Sequence, residues 1–289
     1  MQRKHSLEER AEEKQQQALC EGRYEIEEKV GEGTYGVVYF AYDRLKQRKV
    51  AVKKVKYYGT SNEGIPATTL REISILKELQ HKHIVRLEEV ITTGAGGEMY
   101  LVFERMDMDL RRLLKVYKQK FPPVLMKKLL KQLLEGVHHL HERKILHRDL
   151  KPDNVLVSFA DDYVAKICDF GLSRTIHQPL RTYTTEVMSL WYRCPELLEN
   201  SNTYSIGVDT WAIGCIFAEM MRGVPLFPAR SELEMLALIR KLHDDPKTFT
   251  DLFAAHGSDA VHLLQQLLHV DPLLRYTCKQ ALAHPFFTD

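Results

Sequence analysis

The chain has 289 residues, 44% hydrophobic and 28% charged, with a net charge of +2. That length accommodates two lobes or domains, and the near-neutral balance leaves no bulk electrostatic case for nucleic-acid or membrane binding. Five scattered cysteines (Cys20, Cys168, Cys194, Cys215 and Cys278) include no C-x-x-C pair. This argues against a disulfide framework or zinc site and for reduced thiols, as in the nucleus or cytoplasm. No apolar stretch of the secretory type follows Met1, and the most apolar run, Ala212 to Met221, is too short for a bilayer and contains Glu219.

Residues 1–22 are rich in Glu, Lys, Arg and Gln with few apolar positions, the composition of a solvated helix or a disordered extension. From Tyr24 the pattern turns to strands. Gly31-Glu32-Gly33-Thr34-Tyr35-Gly36 has G-x-G-x-x-G spacing, a weak signal alone. Its third glycine leads into Val37 to Tyr42, which is β-branched and aromatic, so a strand follows and not the helix of a dinucleotide fold. No Gly-Lys-Ser/Thr follows either, which excludes the nucleotide-binding P-loop. A glycine hairpin whose N–H groups approach phosphates fits better.

Val50 to Val55 is the next strand, and its neighbours Lys53 and Lys54 point to opposite faces. Pro66 to Gln80 reads as a helix, with Leu70, Ile73, Ile75, Leu76 and Leu79 as its apolar stripe and Glu72 on it. Met99 to Glu104 is an apolar strand that leads into a helix from about Asp109, where the sheet-rich half gives way to the helical half. Leu125 to Glu142 is a long helix bearing His138, His139 and His141. No Cys or carboxylate is spaced to complete a metal site with them, so surface or capping positions are expected. Val164 to Cys168 is a strand, with Cys168 as a small buried residue. Gly171 to Glu196 shows little periodicity, Asp209 to Cys215 opens an apolar helix, and Leu263 to Leu268 and Lys279 to His284 read as helices.

One stretch organises these parts: His147-Arg148-Asp149-Leu150-Lys151-Pro152-Asp153-Asn154, followed by Asp169-Phe170-Gly171. The paired motifs match an H-R-D-L-x-x-x-N loop and a D-F-G site, a specific combination. The residue types suit phosphoryl transfer. Asp149 can accept a hydroxyl proton, Asn154 and Asp169 can hold Mg²⁺ through oxygen, and Lys151 can supply positive charge near the transferred group.

Residues 23–289 thus resemble a eukaryotic protein kinase, with 1–22 as a charged extension. The resemblance implies a two-lobed α+β fold: a small antiparallel sheet lobe with one helix over 23–105, a larger helical lobe over 106–289, and ATP in the cleft. It also implies that Val30, Gly31, Glu32, Gly33, Thr34, Tyr35, Gly36, Val38 and Ala51 line the nucleotide, with Lys53 on its phosphates and Glu72 paired to Lys53. Phe103 would back the pocket, the Glu104 and Met106 backbone would bond adenine, Asp109 would sit near the ribose, and Cys168 would lie at the pocket floor. Asp209 would brace the catalytic loop, and Arg275 would pair with Glu196.

Within the kinases, Gly64 to Ser74, the glycine loop, and Arg181-Thr182-Tyr183-Thr184 with Leu190-Trp191-Tyr192-Arg193 resemble the cyclin-dependent family. This implies a cyclin-type activator and an activating phosphate on Thr184, held by Arg71, Arg148 and Arg174. Thr34 and Tyr35 match the family's inhibitory phosphorylation pair, so activating and inhibitory kinases are implied. Val187, Met188, Ser189 and Arg193 resemble the surface that selects Ser/Thr-Pro substrates. The mitogen-activated branch needs a Tyr where Glu186 stands. A scaffold of the same fold is the alternative from another class. The segment 243–260 is shorter than the family's insert for small accessory subunits.

Overall fold

Alternating apolar and polar residues from Tyr24 onward build a five-stranded sheet: β1 (Tyr24–Gly33), β2 (Gly36–Asp43), β3 (Arg48–Val55), β4 (Leu87–Thr92) and β5 (Met99–Glu104). The order is β1-β2-β3-β5-β4, and every pairing is antiparallel. This is a computed structural model that describes residues 22–33, 36–55, 67–92, 98–118, 120–160, 162–170, 174–175, 187–199 and 205–288. The extension up to residue 21, Thr34, Tyr35, Pro66 and Thr184 lie outside the described residues, as do the side chains of Arg71, Glu72, Arg174, Val187, Met188 and Ser189.

The two faces of the sheet carry separate clusters, as a period of two requires. One gathers Tyr24, Ala41, Val50, Val52, Ile91, Tyr100 and Val102. The other sets Met99 and Leu101 against Ile73 of α1 (Ala67–Glu78), with Val55, Leu87, Val90 and Phe103 around them. A polar brace closes one end of the sheet. Arg23 meets Asp43 at 2.9 Å and Glu89 at 3.1 Å, and the Tyr24 hydroxyl donates to Glu89 at 2.8 Å. The Arg23 hydrogen bond holds the buried Asp43 carboxyl down at about 2, although burial pushes the other way.

The backbone divides into two compact units, Met1–Gln80 with Val85–Met106, and His81–Ile84 with Asp107–Asp289. By backbone contacts His81–Ile84 groups with the helical unit, and the sheet unit runs to Met106. The contacts of that short segment explain why. Ile84 bridges Ile167, whose amide donates to the His83 carbonyl at 2.9 Å. The His83 Nδ1 donates to the Ala165 carbonyl at 3.0 Å, and His81 stacks on His139 with ring centroids 4.6 Å apart.

In the helical unit, β6 (Met108–Asp109) leads into α2 (Leu110–Tyr117), and Asp109 caps α2 by accepting from the Arg112 amide at 2.8 Å. α3 (Pro123–Glu142) begins two residues ahead of its apolar stripe because Pro123 suits the first helical turn. β7 (Ile145–Leu146) pairs with β10 (Arg174–Thr175), and β8 (Val155–Ser158) joins β6 to β9 (Val164–Ile167). After the short α4 (Pro195–Leu198), α5 (Gly207–Arg222) is buried from Gly207 to Met221, the mark of a helix inside a core. Gly223 ends it with φ of 72°.

α6 (Glu232–His243), α7 (Pro246–Phe253), α8 (Ser258–Leu267) and α9 (Cys278–Leu282) follow. The 243–260 stretch, read as a shortened insert, folds largely as α7, with Phe249 and Phe253 buried. α9 starts one residue before the sequence reading because Thr277 and Gln280 form a capping box. Among the described residues, no helix is long and apolar enough to cross a membrane.

Candidate active site

In the sheet unit, β1 ends on Gly33 and β2 starts on Gly36, and these two residues are register partners. A Cβ on Gly36 would lie 2.2 Å from the Lys54 carbonyl oxygen, so only glycine allows the hairpin to close on β3. Val38 is the register partner of Lys53, and Ala51 that of Phe103. Val50 and Val52 belong to the opposite cluster, so Val38, Ala51, Lys53 and Phe103 share the face that also carries Val55, Leu101 and α1. Lys54 points the other way and meets Glu98 at 2.6 Å. Along β1, Val30 is half-buried while Gly31 and Glu32 are exposed, and Glu32 meets Lys29 at 2.8 Å. Glu72 lies on α1, its side chain outside the described residues.

At the end of β5, the Glu104 amide donates to the Arg86 carbonyl at 3.3 Å, and Met106 is buried. Asp109 has a structural duty that the sequence reading did not foresee. Beyond capping α2, its carboxylate meets Arg112 at 3.3 Å.

In the helical unit, the loop after β7 is held from beneath. Asp209, near the start of α5 and 1% exposed, accepts from the His147 amide at 3.0 Å and the Arg148 amide at 2.8 Å. Burial opposes its charge, but the His141 hydrogen bond at 2.9 Å and these amides hold the carboxyl below its ordinary range. His141 was expected at a surface or cap, yet its side chain is buried against Asp209. Arg148 and Asp169 both adopt left-handed backbone, with φ of 73° and 63°. Such strain persists only where surrounding bonds over-determine it.

Those bonds are present. His147 Nε2 donates to the Cys168 carbonyl at 3.0 Å, which leaves its Nδ1 to accept the Asp149 amide at 3.3 Å. The Cys168 amide donates to the Asn154 carbonyl at 3.0 Å, and Phe170 packs on the His147 ring at 5.2 Å. The loop and the segment before Asp169 are therefore one fixed body. Cys168 is half-buried, not fully buried as the sequence implied, because it sits just past β9 with its backbone committed to the loop.

Within this frame the Asn154 amide nitrogen donates to the Asp149 carbonyl at 2.8 Å and to Asp149 Oδ2 at 3.1 Å. Lys151 Nζ meets the same Oδ2 at 2.9 Å. Pro152 opens the short turn 152–154, and the Asn154 amide closes it on the Lys151 carbonyl at 2.9 Å. Asp149, Lys151 and Asn154 are thus brought together, and the carboxylate cannot rotate freely. An Asn whose nitrogen is spent on Asp149 presents its oxygen elsewhere, and with the Asp169 carboxylate this gives the hard oxygen donors that Mg²⁺ favours.

Arg174 pairs through its backbone with Leu146, next to the loop that carries Arg148. Arg193 Nη1 donates to Glu232 at 2.6 Å, and Arg275 pairs with Glu196 at 2.8 and 3.0 Å. Cys194 is fully buried, and burial raises its thiol pKa. The sequence reading missed Arg111, Asp153, Tyr192 and Glu219, which cluster behind the loop. Their partners are up to 108 residues apart, so no local period signals them.

Residues 24–287 match the model of the protein kinase domain. A curated relative, "Cell division control protein 2 homolog 3" of Trypanosoma brucei brucei, is 43% identical over 292 residues and 92% of each chain is covered. With the catalytic loop, glycine hairpin and helical core in place, the chain belongs to the eukaryotic serine/threonine protein kinases of the cyclin-dependent family.

Proposed function

We propose that this kinase phosphorylates Ser or Thr followed by Pro, under control of a cyclin-type subunit and of phosphorylation at Thr184. A kinase domain uses ATP and ordinarily a divalent metal; we assign that metal as Mg²⁺ on Asn154 and Asp169. When bound, the ion neutralises charge on the phosphates. Asp149 orients the substrate hydroxyl and accepts its proton, and Lys151 both steadies Asp149 and faces the transferred group. Lys53 holds the phosphates, with Glu72 as its partner in the active state. Arg71, Arg148 and Arg174 receive the Thr184 phosphate, while phosphates on Thr34 and Tyr35 inhibit. The name of the relative suggests a role in cell division; a place in the nucleus or cytoplasm is part of our proposal and does not rest on that name.

The observation that carries this reading is the convergence of Asn154 and Lys151 on Asp149 Oδ2, at 3.1 and 2.9 Å. Two side chains thus orient the Asp149 carboxylate, which supports the reading of Asp149 as the proton acceptor. The test is transfer of labelled phosphate from ATP to Ser-Pro and Ser-Ala peptides by the full chain isolated in active form. Label on Ser-Pro alone, reduced by on the order of 10²-fold or more in Asp149→Asn, supports the proposal. Equal labelling of both peptides would remove the proline selectivity, and an active Asp149→Asn variant would remove the mechanism.

A further inference from the structure

One cluster, buried at Tyr192 and Glu219 and half-buried at Arg111 and Asp153, plays no part in the mechanism above. Arg111, in the first turn of α2, meets groups from three other segments. Its Nε and Nη2 reach Asp153 Oδ2 at 3.4 and 3.3 Å, Nη2 also donates to the Tyr192 hydroxyl, and Nη1 donates to Glu219 on α5. Tyr192 in turn donates to Glu219 at 2.6 Å, so its hydroxyl accepts from one partner and gives to the other. Glu219 is 2% exposed. Burial raises its carboxyl pKa, while Tyr192 and Arg111 work to keep it charged.

The segments joined are what matter. Asp153 stands between Lys151 and Asn154, inside the turn that sets their spacing around Asp149. Tyr192 directly precedes Arg193, at the end of the 187–192 turn. A planar guanidinium with donors on several edges can hold three acceptors at once, whereas an ammonium acts as a point charge.

We propose that Arg111 is a positioning residue for phosphoryl transfer. It fixes the catalytic loop, through Asp153, against the segment ending at Tyr192 and Arg193, with Glu219 as the buried anchor. This rests on the reading of Asp149 to Asn154 as the catalytic loop.

The test is steady-state kinetics of the full chain in active form, on the better of the Ser-Pro and Ser-Ala peptides, with Asp149→Asn as reference. Arg111→Lys and Asp153→Asn are each expected to lower kcat at least tenfold, with KM for ATP within twofold and little change in thermal midpoint. Arg111→Met leaves a buried charge and can fail to fold, so it is paired with Glu219→Gln, which removes that charge. The double variant should regain the midpoint while kcat stays low. Wild-type kcat in Arg111→Lys, or kcat that returns along with the midpoint in the double variant, would overturn the assignment and leave the cluster a plain stabiliser. An active Asp149→Asn variant would instead remove the reading of the loop, and the positioning role with it.

Discussion

Asp209 shows how much one side chain can hold. It is buried, accepts two loop amides and faces His141, so removing it leaves three polar groups without their acceptor. Asp209→Ala is expected to cost about 3–5 kcal/mol, read as a lower urea midpoint, since the loss strands buried partners. Its carboxyl pKa lies below the unfolded value, so the folded state binds fewer protons than the unfolded one in the acid range. The contribution is therefore complete above about pH 4 and fades as pH falls through the folded value. An acid limb that is shallower in the variant than in the wild type, where Asp43 still contributes its own, would check the sign. The active-loop residues were legible because Asp149, Lys151 and Asn154 lie within six positions of one another and phosphoryl transfer demands their types. His141 was not, because its partner is 68 residues away and a histidine on an apolar helix looks the same whether it faces water or a carboxylate.

At the scale of elements, α3 is held tightly on its neighbours. Gly136 lies where a Cβ would come within 2.8 Å of the Ile167 side chain and 2.9 Å of the His83 carbonyl. Helix propensity alone favours Ala over Gly by about 1 kcal/mol. The contact predicts the reverse: Gly136→Ala should destabilise by about 1–3 kcal/mol, because a backbone carbonyl and a core methyl must both yield. Chemical denaturation settles the sign, and a more stable variant would reject this packing. Long helices such as α3 and α5 and the glycine hairpin were readable from period and punctuation. The two-residue strands β6, β7 and β10 were not, since two residues carry no period. α7 was hidden because its two buried aromatics fall in a segment judged by its length against relatives and not by its own pattern.

At the scale of the molecule, the thiols report on the helical unit. All four described cysteines lie in it: Cys194, Cys215 and Cys278 are buried and Cys168 is half-buried. Burial raises the pKa of the three buried thiols, so they hold little thiolate near neutrality. With a thiol-exchange reagent, Cys168 should be labelled ahead of these three, which react as the helical unit unfolds. Peptide mapping of the labelled sites against urea concentration checks this. Early labelling of Cys215 would show that the α5 core opens far below global unfolding. Both sets of elements were visible in the sequence, strands first and helices after. The grouping of His81–Ile84 with the helical unit was not, because a four-residue segment is too short to show a period, and it joins that unit by backbone bonds, ring stacking and one buried apolar side chain, Ile84.

The bonds from Asp209 also set a clock. Amide hydrogens of irregular segments ordinarily trade with solvent deuterium in the fastest class. Those of His147 and Arg148 point into a carboxylate planted on α5, buried from Gly207 to Met221, so their exchange waits on movement of α5 itself. The loop proposed to carry the chemistry therefore keeps the slow time of the core.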